Sequence, residues 1–285
     1  MSAPVERDVR LPHLRLSAQV WGDEAAPPLL ALHGWLDNAW SFARLAPLLA
    51  SRWQVIALEL PGHGHSDHLP PGMAYHFVDY VRAVLDAIDA LGFERLHLMG
   101  HSLGAGIASL VAAAKPDRID RLLLIEGLGP IADDAHHTLR HFRDAMASTA
   151  TGRSLRAFPS IDMAISARTL ASGLPAEQAR PIVERGLRKT DHGWHWRSDA
   201  RVNRPSAVRL AEAQVRDLLR GIEAPTALLL AQPDTPYLPG MRMRERAACV
   251  GDIAVTHLEG GHHLQLEHPD AVAAWANAHL DGRAA

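Results

Sequence analysis

Six short runs of nearly continuous apolar residues recur along the chain, at 29–32, 55–58, 96–99, 122–125, 227–231 and 253–255. A strand with one face in water alternates polar and apolar positions, whereas a strand covered on both faces does not. The runs therefore predict a parallel central sheet with helices on both sides. Between 77 and 91 the apolar positions 77, 78, 81, 84, 85, 88 and 91 fall mostly at steps of three and four, the period of a helix with one buried face. A second helical stretch covers 40–49, with Asp37 or Asn38 placed to cap it. Ahead of the first run, residues 5–21 show two stretches of partial alternation around Pro12, which predicts an antiparallel hairpin at a sheet edge. Strand–helix alternation of this kind predicts a doubly wound α/β sheet.

The alternation breaks after Ile125. From 129 to about 219 the pattern is helical, at 134–149, 161–172 and 176–187, with no convincing buried strand. A sheet pattern that stops and resumes some ninety residues later predicts an insertion over the sheet's carboxyl edge, where ligands bind in open α/β sheets. The expected organisation is a core of residues 1–128 and 220–285, with 129–219 as a helical cap.

Composition narrows the function classes. The chain has 285 residues, 47% of them hydrophobic and 21% charged, enough for one large α/β domain with an insertion. A formal net charge of −3 provides no basic footprint for nucleic acid or anionic lipid. Cys249 is the single cysteine, which excludes an intrachain disulfide and a cysteine-based zinc site. Residues 1–15 mix acids and bases without an apolar stretch, unlike a signal peptide, and no run reaches the ~18 apolar residues of a membrane span. The expectation is a cytoplasmic protein acting on a small molecule without a cofactor.

The chemistry is concentrated where the 96–99 run meets a helical stretch, at Gly100-His101-Ser102-Leu103-Gly104. A serine on a sharp strand-to-helix turn exposes its hydroxyl at the sheet's carboxyl end, and Gly100 and Gly104 fit where backbone crowds the turn. The helix beginning at Leu103 directs its first amides at the same point, which suits a developing oxyanion. Other strand ends converge there. After 29–32 comes His33-Gly34-Trp35, where the Trp35 amide is a candidate second oxyanion donor and a plain glycine turn is the alternative. After 227–231 comes Asp234, and after 253–255 comes Gly260-Gly261-His262-His263. Ser102, Asp234 and His262 stand in the order of an α/β-hydrolase triad, with His262, directly after the glycine turn, preferred to His263. A serine hydroxyl is a poor nucleophile, an imidazole titrating near neutrality can take its proton, and a buried carboxylate fixes the imidazole tautomer. His63, His65 and His68 lack a supporting carboxylate or cysteine framework, and the pair His137 and His141 at helical spacing reads as a solvated cap face, so no metal is expected.

These motifs together resemble the α/β-hydrolase superfamily over nearly the whole chain. Within it, the segments 32–38, 125–130 and 260–263 resemble the serine hydrolase-like proteins. The resemblance implies an α/β-hydrolase fold, a Ser102 nucleophile, a His262 base, and the Leu103 and Trp35 amides as oxyanion hole. Asp234 is expected as the acid, with Glu126 as the alternative, since some members supply the carboxylate from the strand after the nucleophile helix. An aspartate nucleophile, as in haloalkane dehalogenases and epoxide hydrolases, is excluded by Ser102. The expected reaction is hydrolysis of an ester, thioester or lactone through an acyl-enzyme. A C–C bond hydrolase and a non-catalytic ligand-binding protein are the alternatives. Trp194 and Trp196 are candidates to line an apolar acyl pocket, with cap packing as the competing role.

Overall fold

The computed structural model describes residues 3–133, 135–148, 157–235 and 238–282. Its strands are β1 (Val5–Arg10), β2 (Arg15–Trp21), β3 (Pro28–Leu32), β4 (Gln54–Leu58), β5 (Leu96–His101), β6 (Ile119–Ile125), β7 (Leu187–Thr190), β8 (Gly193–Trp196), β9 (Thr226–Gln232) and β10 (Ile253–Glu259). Eight of them make one sheet in the order β1-β2-β4-β3-β5-β6-β9-β10, and β7 and β8 form a separate hairpin. β1 pairs antiparallel with β2, and β2 with β4; every other neighbour in the sheet is parallel. The expected edge hairpin is therefore β1–β2, and the six apolar runs are the parallel strands.

Period-two alternation divides the central strands between two cores. Leu30 and Leu32 of β3 point to one face, Leu29 and Ala31 to the other, and all four are buried. Each fully buried leucine contributes about 1.5–3 kcal/mol over an exposed one, which is why these strands tolerate no polar face. The helices are α1 (Ala46–Leu49), α2 (Phe77–Leu91), α3 (Leu103–Ala114), α4 (Thr138–Ala147), α5 (Ile161–Ser172), α6 (Ala176–Gly186), α7 (Glu212–Leu219), α8 (Gly240–Ala247), α9 (Leu264–Glu267) and α10 (Pro269–Leu280). α2, α3, α7 and α8 cover the first face through Ile88, Val111, Leu219 and Met243. α1 and α10 cover the second through Leu49, Val272 and Ala276.

Some elements depart from the pattern. β10 is the outer strand, and its middle residues, including Val255, are exposed rather than covered on both sides. The stretch 40–49 is not one helix. A 3₁₀ turn, Ala39–Phe42, is capped by Asn38, whose side chain accepts from the Trp40 amide at 3.0 Å, and α1 follows separately. Pro47 explains the break, because a continuous helix would need an amide that proline lacks. The expected helix 134–149 is observed as α4, with Asp134 and Thr149 themselves outside the described residues.

Between β6 and β9 the chain leaves the sheet for α4, α5, α6 and the β7–β8 hairpin, a strand pair that the helical pattern of this segment did not predict. Ala164, Ile165, Val183 and Leu187 form a small core there, with Phe158, Trp194 and Trp196 packed against it. α7 is different, because Val215 and Leu219 are buried in the main core with α3. The last eight residues of the segment thus join the sheet's covering layer. No helix among the described residues is long and apolar enough to cross a membrane.

Candidate active site

Ser102 follows β5 and precedes α3, with φ 53° and ψ −112°. A non-glycine residue in this region is strained and persists only where its surroundings over-determine it. Here the surroundings are backbone. A Cβ on Gly100 would lie 2.3 Å from the Gly104 carbonyl oxygen, and one on Gly104 would lie 2.1 Å from that of Leu32. Both glycines are therefore required by close approach, and the turn between them carries the serine outward. Ser102 stays half-buried and reachable.

The loop between β10 and α9 brings His262 over this serine. Its Nε2 lies 2.9 Å from Ser102 Oγ, and its Nδ1 lies 2.9 Å from Glu126 Oε2. With Nδ1–H donating to the carboxylate, Nε2 offers its lone pair to the serine hydroxyl. The imidazole keeps 20% of its side chain exposed, whereas Glu126 keeps 2%. The imidazole is thus accessible while its carboxylate is shielded.

Glu126 directly follows β6 with φ 52°, a second strained residue beside the first. Its Oε1 accepts from the Ala231 amide at 2.6 Å, and its Oε2 also accepts from Thr235 Oγ1 at 3.0 Å. A buried carboxylate needs such donors to remain charged. The preference for Asp234 is corrected by this geometry. Asp234 is exposed, and its Oδ2 accepts the Gly240 amide at 2.7 Å, at the start of α8. Glu126 ends the strand beside that of Ser102, whereas Asp234 follows the next strand out and turns to the start of α8.

The other candidates fall into two groups. Leu103 is the first residue of α3, where an amide has no intrahelical acceptor. Trp35 lies in the loop after β3, which is held down by His33: its Nδ1 donates to the Gly34 carbonyl at 2.7 Å and its Nε2 accepts the Leu60 amide at 3.0 Å. The Trp35 ring is half exposed and reaches the Val202 carbonyl through Nε1 at 3.2 Å. Trp194 and Trp196 instead belong to the small core between β6 and β9, Trp196 packing edge-on against Phe158 at 5.7 Å. Both are half-buried and pack against that core.

His63, His65 and His68 each have a separate partner. His63 is buried, bonds to the Pro61 carbonyl through Nδ1, and is held neutral, its pKa pushed by burial and by His33 down to about 3. His65 pairs with Glu6, and His68 with the Arg197 carbonyl. His137 and His141 share the Asp133 carboxylate, a framework not anticipated from spacing. A different set, Asp37, His101 and His263, brings one donor atom each to within 4.8 Å of the others, close enough to hold a metal ion. Its sequence signal was faint, since Asp37 reads as a helix cap and His101 as the unspecified residue of Gly-x-Ser. Thr235 carried no signal at all.

Comparisons with known proteins agree with this architecture. The alpha/beta hydrolase fold family matches residues 27–269. A serine hydrolase-like protein of Danio rerio is 30% identical over 275 residues, covering 92% of this chain and 84% of that one. The crystal structure of a hypothetical protein from Pseudomonas aeruginosa PAO1 is 37% identical, with a TM-score of 0.90 over 97% of this chain and 99% of that one. A thioesterase domain from the curacin biosynthetic pathway, 24% identical, shares the fold at a TM-score of 0.85 over 96% of this chain and 99% of that one. The chain belongs to the α/β-hydrolase superfamily, the fold, the matched family and the serine hydrolase-like relatives all agreeing on a hydrolase.

Proposed function

We propose that this chain is a serine hydrolase that cleaves a carboxylic ester, thioester or lactone through an acyl-enzyme, with Ser102 as nucleophile, His262 as base and Glu126 as acid. The observation that carries it is the continuous path Ser102 Oγ, His262 Nε2, His262 Nδ1, Glu126 Oε2, with 2.9 Å at both hydrogen bonds. His262 takes the serine proton as Oγ attacks the acyl carbon. Glu126 stabilises the imidazolium and keeps its tautomer. The amides of Leu103 and Trp35 receive the oxyanion, backbone donors that need no reorganisation when charge develops. His262 then returns the proton to the leaving group, and the same histidine activates a water to release the acid. Residues 129–219 act as a cap over the carboxyl edge, with α7 rooted in the core.

A fluorophosphonate probe together with a panel of p-nitrophenyl esters and acyl thioesters tests this directly. The wild type should be labelled once and turn over part of the panel. Ser102→Ala should lose labelling, and its kcat should fall by on the order of 10⁴–10⁶. Labelling that persists in Ser102→Ala, or a wild type inert to every probe, overturns it.

A further inference from the structure

The triad leaves the buried carboxylate of Asp37 unused. Asp37 lies two residues past Trp35, and its side chain is 1% exposed. Its Oδ1 is paired with the Arg168 guanidinium, which comes from α5 on the cap side of the molecule. Its Oδ2 accepts from Ser41 Oγ at 3.1 Å and faces two rings, His263 Nε2 at 3.5 Å and His101 Nδ1 at 3.9 Å. One of these residues follows the base in sequence, and the other precedes the nucleophile.

His101 completes the connection. Its Nε2 lies 2.7 Å from the His262 carbonyl oxygen, an acceptor only, so Nε2 carries the proton. The Nδ1 lone pair then points toward Asp37 and makes no hydrogen bond. Burial holds this imidazole well below its ordinary range, so it is neutral. Burial would raise the Asp37 carboxyl, but the Arg168 guanidinium and the His263 ring outweigh it and hold the group well below its usual range. Arg168 thus already supplies the compensating charge that a metal ion could otherwise bring to Asp37, His101 and His263. The cluster works as an ionic anchor joining four segments: the oxyanion loop, the nucleophile turn, the histidine loop and α5.

We propose that Asp37 is a positioning residue for Ser102 and His262, and that Arg168, by neutralising it, makes their alignment depend on how the cap is seated. This rests on the triad described above. Without Arg168 the buried carboxylate must draw its compensating charge from His101 or His263. Their rings lie 5.0 and 5.4 Å from that of His262, centroid to centroid. Protonating His101 at Nδ1 draws that edge of the ring toward Asp37 and carries with it the His262 carbonyl that its Nε2–H holds. The imidazole then shifts relative to Ser102 Oγ, and a shift of about 1 Å in a reacting group can cost on the order of a hundredfold in rate.

The test compares two buried cap–core ion pairs. Arg185 of α6 reaches Glu59 at 2.7 Å, with side-chain exposures of 9% and 0%, and touches neither Ser102 nor the histidines around it. Arg168→Met and Arg185→Met should lower Tm to a similar degree. The Arg168→Met protein should react with a fluorophosphonate about ten- to a hundredfold more slowly. In ester turnover the same variant should lose kcat while KM stays near wild type. Arg168→Lys should recover part of the loss, and Arg185→Met should be acylated at the wild-type rate. Should Arg168→Met fail to fold, Arg168→Gln leaves Asp37 charged beside a neutral, hydrogen-bonding side chain and should show the same slowing. A folded Arg168→Met or Arg168→Gln protein acylated at the wild-type rate overturns the proposal, as does equal slowing in Arg185→Met. Failure of the triad itself would look different, because the wild type would then not be labelled.

Discussion

The ends of β6 and β9 are neighbours in the sheet, and each carries a carboxylate within reach of the same edge. Their fates differ completely. Glu126, one residue past β6, is turned inward by a left-handed backbone, is 2% exposed, and is bonded by the Ala231 amide, Thr235 and His262. Asp234, two residues past β9, faces solvent and accepts one amide at the start of α8. The β9 end still serves the site, but as a scaffold, because Ala231 and Thr235 both donate to the carboxylate from β6. Burial and donor geometry separate the carboxylate that meets His262 from the one at the surface, whereas strand-end position alone does not.

Glu126→Gln should break the comparison most sharply. The change is nearly isosteric, yet an amide in place of the carboxylate favours the wrong imidazole tautomer. The expected loss in kcat is about 10³–10⁴, with KM little changed, measured on the best ester of the panel. If Asp234→Asn gave that loss instead, the roles of the two strand ends would be reversed.

Thr235→Val should have an intermediate effect. It removes one donor to Glu126 Oε2 but leaves the Ala231 amide and His262 in place. A hydrogen bond to a charged group of this kind is worth about 1.5–3 kcal/mol, part of which the remaining donors recover, so a kcat loss of about three- to tenfold is expected. Steady-state kinetics with the same ester, together with a melting curve, separates this from a folding defect. The smallest effect belongs to Asp234→Ala. Losing one exposed hydrogen bond at a helix start should cost about 1 kcal/mol or less in unfolding free energy, read by urea denaturation. Ester turnover per folded molecule should stay at the wild-type value.

The four-residue apolar runs could be read in advance because a strand covered on both faces must be apolar at every position. The turn at Ser102 could be read because Gly100 and Gly104 are demanded by backbone contact, a constraint visible in residue type. Trp194 and Trp196 were harder. A large aromatic suits a ligand pocket and a packing core equally, and their packing with Phe158 against the small core of Ala164, Ile165, Val183 and Leu187 depends on how the β7–β8 hairpin folds back on α5 and α6. The hairpin itself was invisible, since four-residue strands that are only half-buried leave no periodic signature.

What this sequence determined by itself was the fold, the turn that carries Ser102 and the loop that carries His262, because each is written locally in spacing, glycines and apolar runs. The tertiary structure alone decided which carboxylate holds His262. Both candidates have the right charge and both sit past the end of a strand, so the decision lies in side-chain length, backbone handedness and the donors waiting at Ala231 and Thr235. It also decided that Asp37, readable as a helix cap, instead meets Arg168 from 131 residues away. A buried charge must find its partner wherever the fold provides one, and no local pattern records where that will be.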